Sequence, residues 1–307
     1  MPIVTPEYST DTHLFERLQD CGAIVIDQEE AETQDIRPAK IGLLNLMPAQ
    51  VMEATELRWL RFISHTVLQI EPVLLKFDDD KRELPNSSRR NVLKRYHPFS
   101  AATEDGLDGL IVTGDNQERQ QDGTPLPMNE LHYAEDLKEV IDWANSNISA
   151  SIYSCLASHY ALNYQYGLCR DIKNRKFFGV YDHHVMKESE ITFAMDDLIR
   201  APHSRWGTIA TEHLEAAGLD VLAVSEEAGW LIAEDVSLSG NTNTYLQGHP
   251  EYWRYDLHDE YVRDRQYVPE NYYPGDNPEL QPILSWSGDA RSLLSNWIQG
   301  IYKSYSS

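Results

Sequence analysis

The 307-residue sequence predicts an α/β fold: a mostly parallel sheet with helices on both faces. Two observations carry this reading. Short, nearly continuous apolar runs recur along the chain, as strands buried on both faces require, and most are followed by segments with apolar residues at helical spacing. No internal repeat, low-complexity tract or linker divides the chain, so a single domain over residues 1–307 is expected, with a polar N-terminal segment over about residues 1–35.

Residues 40–47 (KIGLLNLM), closed by Pro48, read as the first buried strand. Leu57, Leu60 and Ile63 then recur at helical spacing, with Glu53 and Glu56 in the first turns. Residues 67–75 form a second strand in which Pro72 marks an edge or a bulge. Residues 86–96 (NSSRRNVLKRY) hold the densest basic cluster, Arg89, Arg90, Lys94 and Arg95, and read first as a solvated helix face. Residues 109–114 (GLIVTG) are a third strand, followed by a long polar loop and a helix with Leu137, Val140, Ile141 and Ala144 on one face. Residues 150–155 (ASIYSC) make a fourth strand, and residues 156–166 a helix stopped by Gly167. Further strands are expected at 219–224, 230–233 and 244–247, with helices at about 252–265 and 290–302.

Charge and targeting signals narrow the function. With 49 Asp+Glu against 26 Lys+Arg, the formal net charge is −23, which repels phosphate backbones and argues against nucleic-acid partners. The N-terminus lacks the basic and apolar regions of a secretory signal, and no apolar stretch approaches the ~20 residues of a membrane span, so a cytoplasmic location without membrane contact is expected. Cys21, Cys155 and Cys169 are too few and too scattered for a disulfide framework or a paired-cysteine metal site. Asp182-His183-His184 offers two convergent ligands at most on a strand, so no metal is expected.

Ligands of parallel α/β sheets bind at the carboxyl ends of strands, which selects residues 47–50, residues 114–118, Cys155 and His249. Cys155 ends a strand and begins a helix, the layout of a nucleophile elbow, where the helix dipole favours the thiolate. Gln247-Gly248-His249-Pro250-Glu251 ends another strand and supplies a base with a carboxylate to orient it. The N–H of Leu156, just past the nucleophile, is placed to receive a developing oxyanion. Cys21 and Cys169 lack such a setting and read as structural, whereas His159 is expected on the exposed side of its helix.

Over nearly its whole length the sequence resembles the homoserine O-acyltransferases, the succinyl- and acetyltransferases related to the class I glutamine amidotransferase fold. The resemblance is carried by AETQDIRPAKIGLLNLMP, DGLIVTG, FFGVYDHHV, APHSR, SEEAG, GHPEY, NYYPGDNP and LLSNW, in that order. It implies a class I glutamine amidotransferase-like (flavodoxin-like) fold and acyl transfer from acyl-CoA, as co-substrate, to the hydroxyl of L-homoserine in methionine biosynthesis. No cofactor is implied, and a homodimer is compatible with it. Carried over by position, Cys155 is the acyl-accepting nucleophile, His249 the base and Glu251 its partner, while Lys176, Ser204 and Arg263 contact substrate. Glu118 falls on the position associated with acyl-CoA choice, where Glu goes with acetyl-CoA and Gly with succinyl-CoA; a carboxylate there repels the free end of a succinyl group, which favours acetyl-CoA. The chain departs from the family pattern at Gly114-Asp115-Asn116, at Leu156-Ala157-Ser158-His159-Tyr160 and at Gln50, where a Lys is common. A cysteine hydrolase or glutamine amidotransferase, a serine O-acyltransferase and a non-catalytic paralogue are the alternatives.

Overall fold

The computed structural model describes residues 2–6, 12–80, 95–116 and 118–305. In chain order the first half contains β1 (Ile3–Val4), α1 (Thr12–Asp20), β2 (Val25–Ile26), α2 (Gln28–Glu32), β3 (Ala39–Leu44), α3 (Met52–Ile63), β4 (Ile70–Lys76), β5 (His97–Pro98), α4 (Phe99–Glu104), β6 (Gly109–Val112) and α5 (Ala134–Asn147). The second contains β7 (Ala150–Ser154), α6 (Leu156–Tyr166), β8 (Asp171–Val185), β9 (Leu198–Thr208), α7 (Thr211–Ala216), β10 (Asp220–Ser225), β11 (Gly229–Val236), β12 (Thr242–Leu246), α8 (Asp256–Asp264) and α9 (Ser287–Ser304).

All the described strands join one sheet in the order β2-β1-β4-β3-β6-β7-β12-β11-β10-β8-β9, with β5 on β4. From β2 to β12 every pairing is parallel, and from β12 to β9 every pairing is antiparallel. The expected parallel α/β core is therefore present, extended by an antiparallel wing whose longest part, β8 and β9, the apolar pattern does not mark. That hairpin alternates buried and partly buried residues over much of β9 and is exposed along the first part of β8, so it lacks a continuous apolar run. The polar N-terminal segment also holds structure: β1 is wholly buried, and Leu14 and Leu18 of α1 enter the core.

Helices cover both faces. On one, α1, α3 and α9 bury Leu18, Trp59, Leu60, Leu294 and Ile298; on the other, α5 and α6 bury Leu137, Ile141, Tyr160 and Leu162. Each such large apolar side chain contributes roughly 1.5–3 kcal/mol by leaving water. Pro72 does not mark an edge. It pairs with Ile41 of β3 on one side, and on the other it lies between the short contacts of β4 with β1 at Ile70 and with β5 at Leu75, where among the described residues no neighbour asks for its missing N–H. In the basic cluster, residues 86–94 lie outside the described residues, while Arg95 is buried and bonded to Glu56. Among the described residues no helix is long and apolar enough to cross a membrane.

Candidate active site

Register explains why distant residues meet. β7 pairs with β12 so that Ser154 lies opposite Leu246, and with β6 so that Tyr153 lies opposite Val112. The residues that run past these strand ends, Cys155, His249 and Gly114, therefore emerge side by side. Cys155 adopts φ 49° and ψ −109°, a left-handed geometry that costs a non-glycine residue about 1–3 kcal/mol. Its N–H donates to Leu246 O at 2.7 Å, and its carbonyl accepts from Ser158 Oγ at 2.7 Å, which holds the strained turn in place. A β-carbon on Gly114 would lie 3.2 Å from Cβ of Cys155 and 3.8 Å from N of Leu156, so glycine keeps the approach to the sulfur uncrowded. The Leu156 amide, like all in a first turn, has no intrahelical partner and can receive an oxyanion.

Cys155 is half-buried and within electrostatic reach of His249, whose Nδ1 lies 2.8 Å from Glu251 Oε1. Burial by itself would push the thiol up, but the charge of His249, with Arg170 and Arg205 beyond, brings it below the ordinary thiol value. Burial would likewise lower His249; the Glu251 carboxylate and the Cys155 sulfur override it and raise the imidazole. Both shifts favour a thiolate–imidazolium pair, the form in which a cysteine can act as a nucleophile.

Lys176 and Ser204 meet on a residue that no sequence signal marks as a substrate-site group, Glu260 of α8. Its Oε2 accepts from Ser204 Oγ at 2.5 Å and lies 3.3 Å from Lys176 Nζ, and its Oε1 accepts from Tyr252 OH at 2.6 Å. Burial opposes ionisation of Glu260, yet Lys176, Ser204 and Tyr252 together hold its carboxyl below the ordinary value. Tyr252 also stacks on the His249 ring at 4.3 Å, so one side chain ties the triad to the Glu260 cluster. Because those partners come from β8, β9 and the turn after β12, no local pattern reveals Glu260.

A second buried layer supports the histidine loop. Arg205 can only donate, so its 3.1 Å contact makes His203 Nδ1 an acceptor and places the His203 proton on Nε2, which faces His183 Nε2 at 3.1 Å. Burial and Arg205 keep both imidazoles neutral, with pKa values far below 6.5. A β-carbon on Gly248 would fall 2.9 Å from His203 Nε2, which requires glycine beside His249. His159 is buried rather than exposed: the first two turns of α6 are covered on every side, and its Nε2 lies 3.2 Å from Gln247 Oε1. Arg170 places its guanidinium against Gly207, with Nε and Nη1 buried and without hydrogen-bond partners, and within electrostatic reach of the Cys155 sulfur.

The remaining candidates sit further out. The Glu118 carboxylate bonds the His132 ring and accepts from the His132 N–H at 3.4 Å, so it is anchored within its own loop. In the same loop Asp115 accepts from Tyr133 OH at 3.0 Å, and burial lifts its carboxyl to about 6. Arg263 makes two hydrogen bonds to Asp264, at 2.6 and 2.9 Å, with its side chain 56% exposed and within electrostatic reach of Glu260. Cys21 and Cys169 are exposed free thiols, not packed core groups. Among the described residues no three His, Cys, Asp or Glu side chains are arranged to hold a metal.

Comparison with known proteins identifies the family of the chain. The family model for homoserine O-succinyltransferase matches residues 3–307. A homoserine O-acetyltransferase of Thermotoga petrophila is 36% identical over 283 residues, covering 90% of this chain and 89% of that protein. A homoserine O-succinyltransferase of Alteromonas mediterranea is 35% identical over 283 residues, covering 89% and 86%. In fold alone, the chain resembles a putative GMP synthase component from Thermoplasma acidophilum, with TM-score 0.54 and 15% identity over 88% of this chain and 98% of that one. The chain thus belongs to the homoserine O-succinyltransferase family and is a homoserine O-acyltransferase.

Proposed function

We propose that the protein transfers an acyl group from acyl-CoA to L-homoserine through an acyl-enzyme on Cys155, in a ping-pong sequence that serves methionine biosynthesis. The observation that carries this reading is the strained, half-buried Cys155 within electrostatic reach of a His249 that Glu251 orients. The Cys155 thiolate attacks the thioester carbonyl, and the oxyanion of the tetrahedral intermediate points to the Leu156 N–H. As the intermediate collapses, the C–S bond to CoA breaks and the His249 imidazolium gives its proton to the departing sulfur. One thioester replaces another, so this step is nearly balanced. The now neutral His249 takes the proton of homoserine's hydroxyl while that oxygen attacks the acyl-Cys155 carbonyl. Collapse releases the O-acyl ester and restores thiolate and imidazolium.

Lys176, Ser204 and Arg263 are the substrate contacts in this reading. Arg263 grips the amino acid's carboxylate by exchanging it for Asp264, a substitution of one carboxylate for another at an exposed fork. Glu118 makes acetyl-CoA the favoured donor over succinyl-CoA, and its bond to His132 fixes where that charge sits. The test is intact-protein mass after exposure to acetyl-CoA or succinyl-CoA alone. Wild type gains one acyl group and releases CoA, and Cys155→Ala gains none and loses turnover; turnover retained by that variant ends the proposal. Glutamine in place of acyl-CoA should release no ammonia, and serine in place of homoserine should accept poorly.

A further inference from the structure

Behind the catalytic pair lies a separate cavity of about 300 Å³ between α1, α3, the turn after β12 and the start of α9. Glu251, Tyr252 and Trp253 form one wall, and Leu57 and Phe62 supply apolar surface. Arg17, Arg58, Arg61 and Arg291 also line it, against the two carboxylates Glu251 and Asp256. Arg58 is paired with Asp256 at 2.7 Å, whereas among the described residues Arg17, Arg61 and Arg291 bond to no carboxylate. Arg61 lies flat on the Trp253 ring, 3.2 Å from its centroid, with a buried Nε that makes no hydrogen bond. His65, pushed down to about 4 by burial and by Arg291 and Arg61, adds no further charge at neutral pH.

The two carboxylates of the cavity are already engaged, Asp256 by Arg58 and Glu251 by His249, so Arg17, Arg61 and Arg291 leave an excess of positive charge that an anion would complete. A single carboxylate would leave two of the cations uncompensated. A phosphate or diphosphate carries enough charge and presents the oxygen geometry that arginine forks match. The apolar surface beside the arginines suits a flat, largely nonpolar body attached to that anion. We propose that this cavity binds the phosphate groups of a nucleotide-like ligand. Two sources share that chemistry: the phosphorylated nucleoside end of the acyl-CoA donor, which rests on the function proposed above, and a free nucleotide acting on the triad through Glu251.

The test measures binding of adenosine 3′,5′-bisphosphate and of pyrophosphate to the full chain by calorimetry, for wild type and for Arg61→Gln, Arg291→Gln and Arg17→Gln, with circular dichroism to confirm folding. Wild type should bind, and each substitution should weaken binding by about tenfold, as expected for loss of one charge-assisted contact. No binding to wild type, or equal affinity in all the folded variants, overturns the proposal. Kinetics then separate the sources. If the variants raise KM for acetyl-CoA but leave turnover of a short acetyl thioester lacking the nucleotide unchanged, the donor occupies the cavity. If the bisphosphate alters turnover of the short thioester as well, a free nucleotide does. Absence of acyl transfer from any thioester would overturn the function proposed above, while the binding measurement would still decide the cavity's role.

Discussion

Tyr252 lies on the His249 ring at 4.3 Å, and its hydroxyl donates to Glu260 at 2.6 Å, so His249 and the Lys176–Ser204 cluster share one rigid support. Tyr252→Phe keeps the stack and removes the bond. Its expected loss in kcat/KM is about tenfold, the equivalent of one hydrogen bond to a charged group. Tyr252→Ala removes both contacts and should lose substantially more. Equal kinetics for the two variants would show that only the hydroxyl matters.

Glu251→Gln preserves shape but withdraws the charge that raises His249. By analogy with other triads, kcat should fall by about 10²–10⁴-fold. Stopped-flow release of CoA and of the ester would measure each half-reaction, and both should slow because the proposed mechanism has His249 move a proton in each.

Cations near Cys155 stabilise the thiolate, so the thiol loses its proton at lower pH than an isolated one, and removing a cation must move that midpoint upward. Iodoacetamide alkylation of Cys155 against pH, followed by peptide mass, should show a midpoint below the ordinary ~8.5. His249→Ala should raise it most and Arg170→Met by less. An unchanged midpoint in both would mean the sulfur is not ion-paired.

Arg263→Met should raise KM for homoserine by about 100-fold with little change in kcat, the signature of a contact made equally in ground and transition states. Steady-state kinetics at saturating acyl donor provide the check. A fall in kcat alone would assign Arg263 a different role.

Glu234 on β11 accepts from Thr244 Oγ1 at 2.8 Å, and burial raises its carboxyl to about 7. Between its unfolded value of ~4.3 and that folded value, the native state holds a proton that the unfolded chain has lost, so its contribution makes stability fall as pH rises through this window. Glu234→Gln should therefore be more stable than wild type by roughly 3 kcal/mol at pH 8 and nearly equal at pH 4. Urea denaturation at the two pH values measures the difference.

Much of this is legible in the linear chain. The apolar runs at residues 40–47, 109–114 and 150–155 announce the buried strands β3, β6 and β7, because a strand covered on both faces must be apolar at every position. Cys155 and His249 are marked by lying just past such runs, and the resemblance to the family strings implies the chemistry proposed for them. Other features are not legible. The β8–β9 hairpin lacks a buried strand's composition, and an exposed His159 presupposes an outer face that the first two turns of α6 do not have. What the sequence settles alone is the local signal: strand, elbow, helix, and the residue types able to exchange thioesters. Tertiary structure alone decides which of those residues meet, because the parallel register of β6, β7 and β12 brings Gly114, Cys155 and His249 to one edge, and because Glu260 acquires its partners from segments more than 50 residues away as well as from its own neighbourhood.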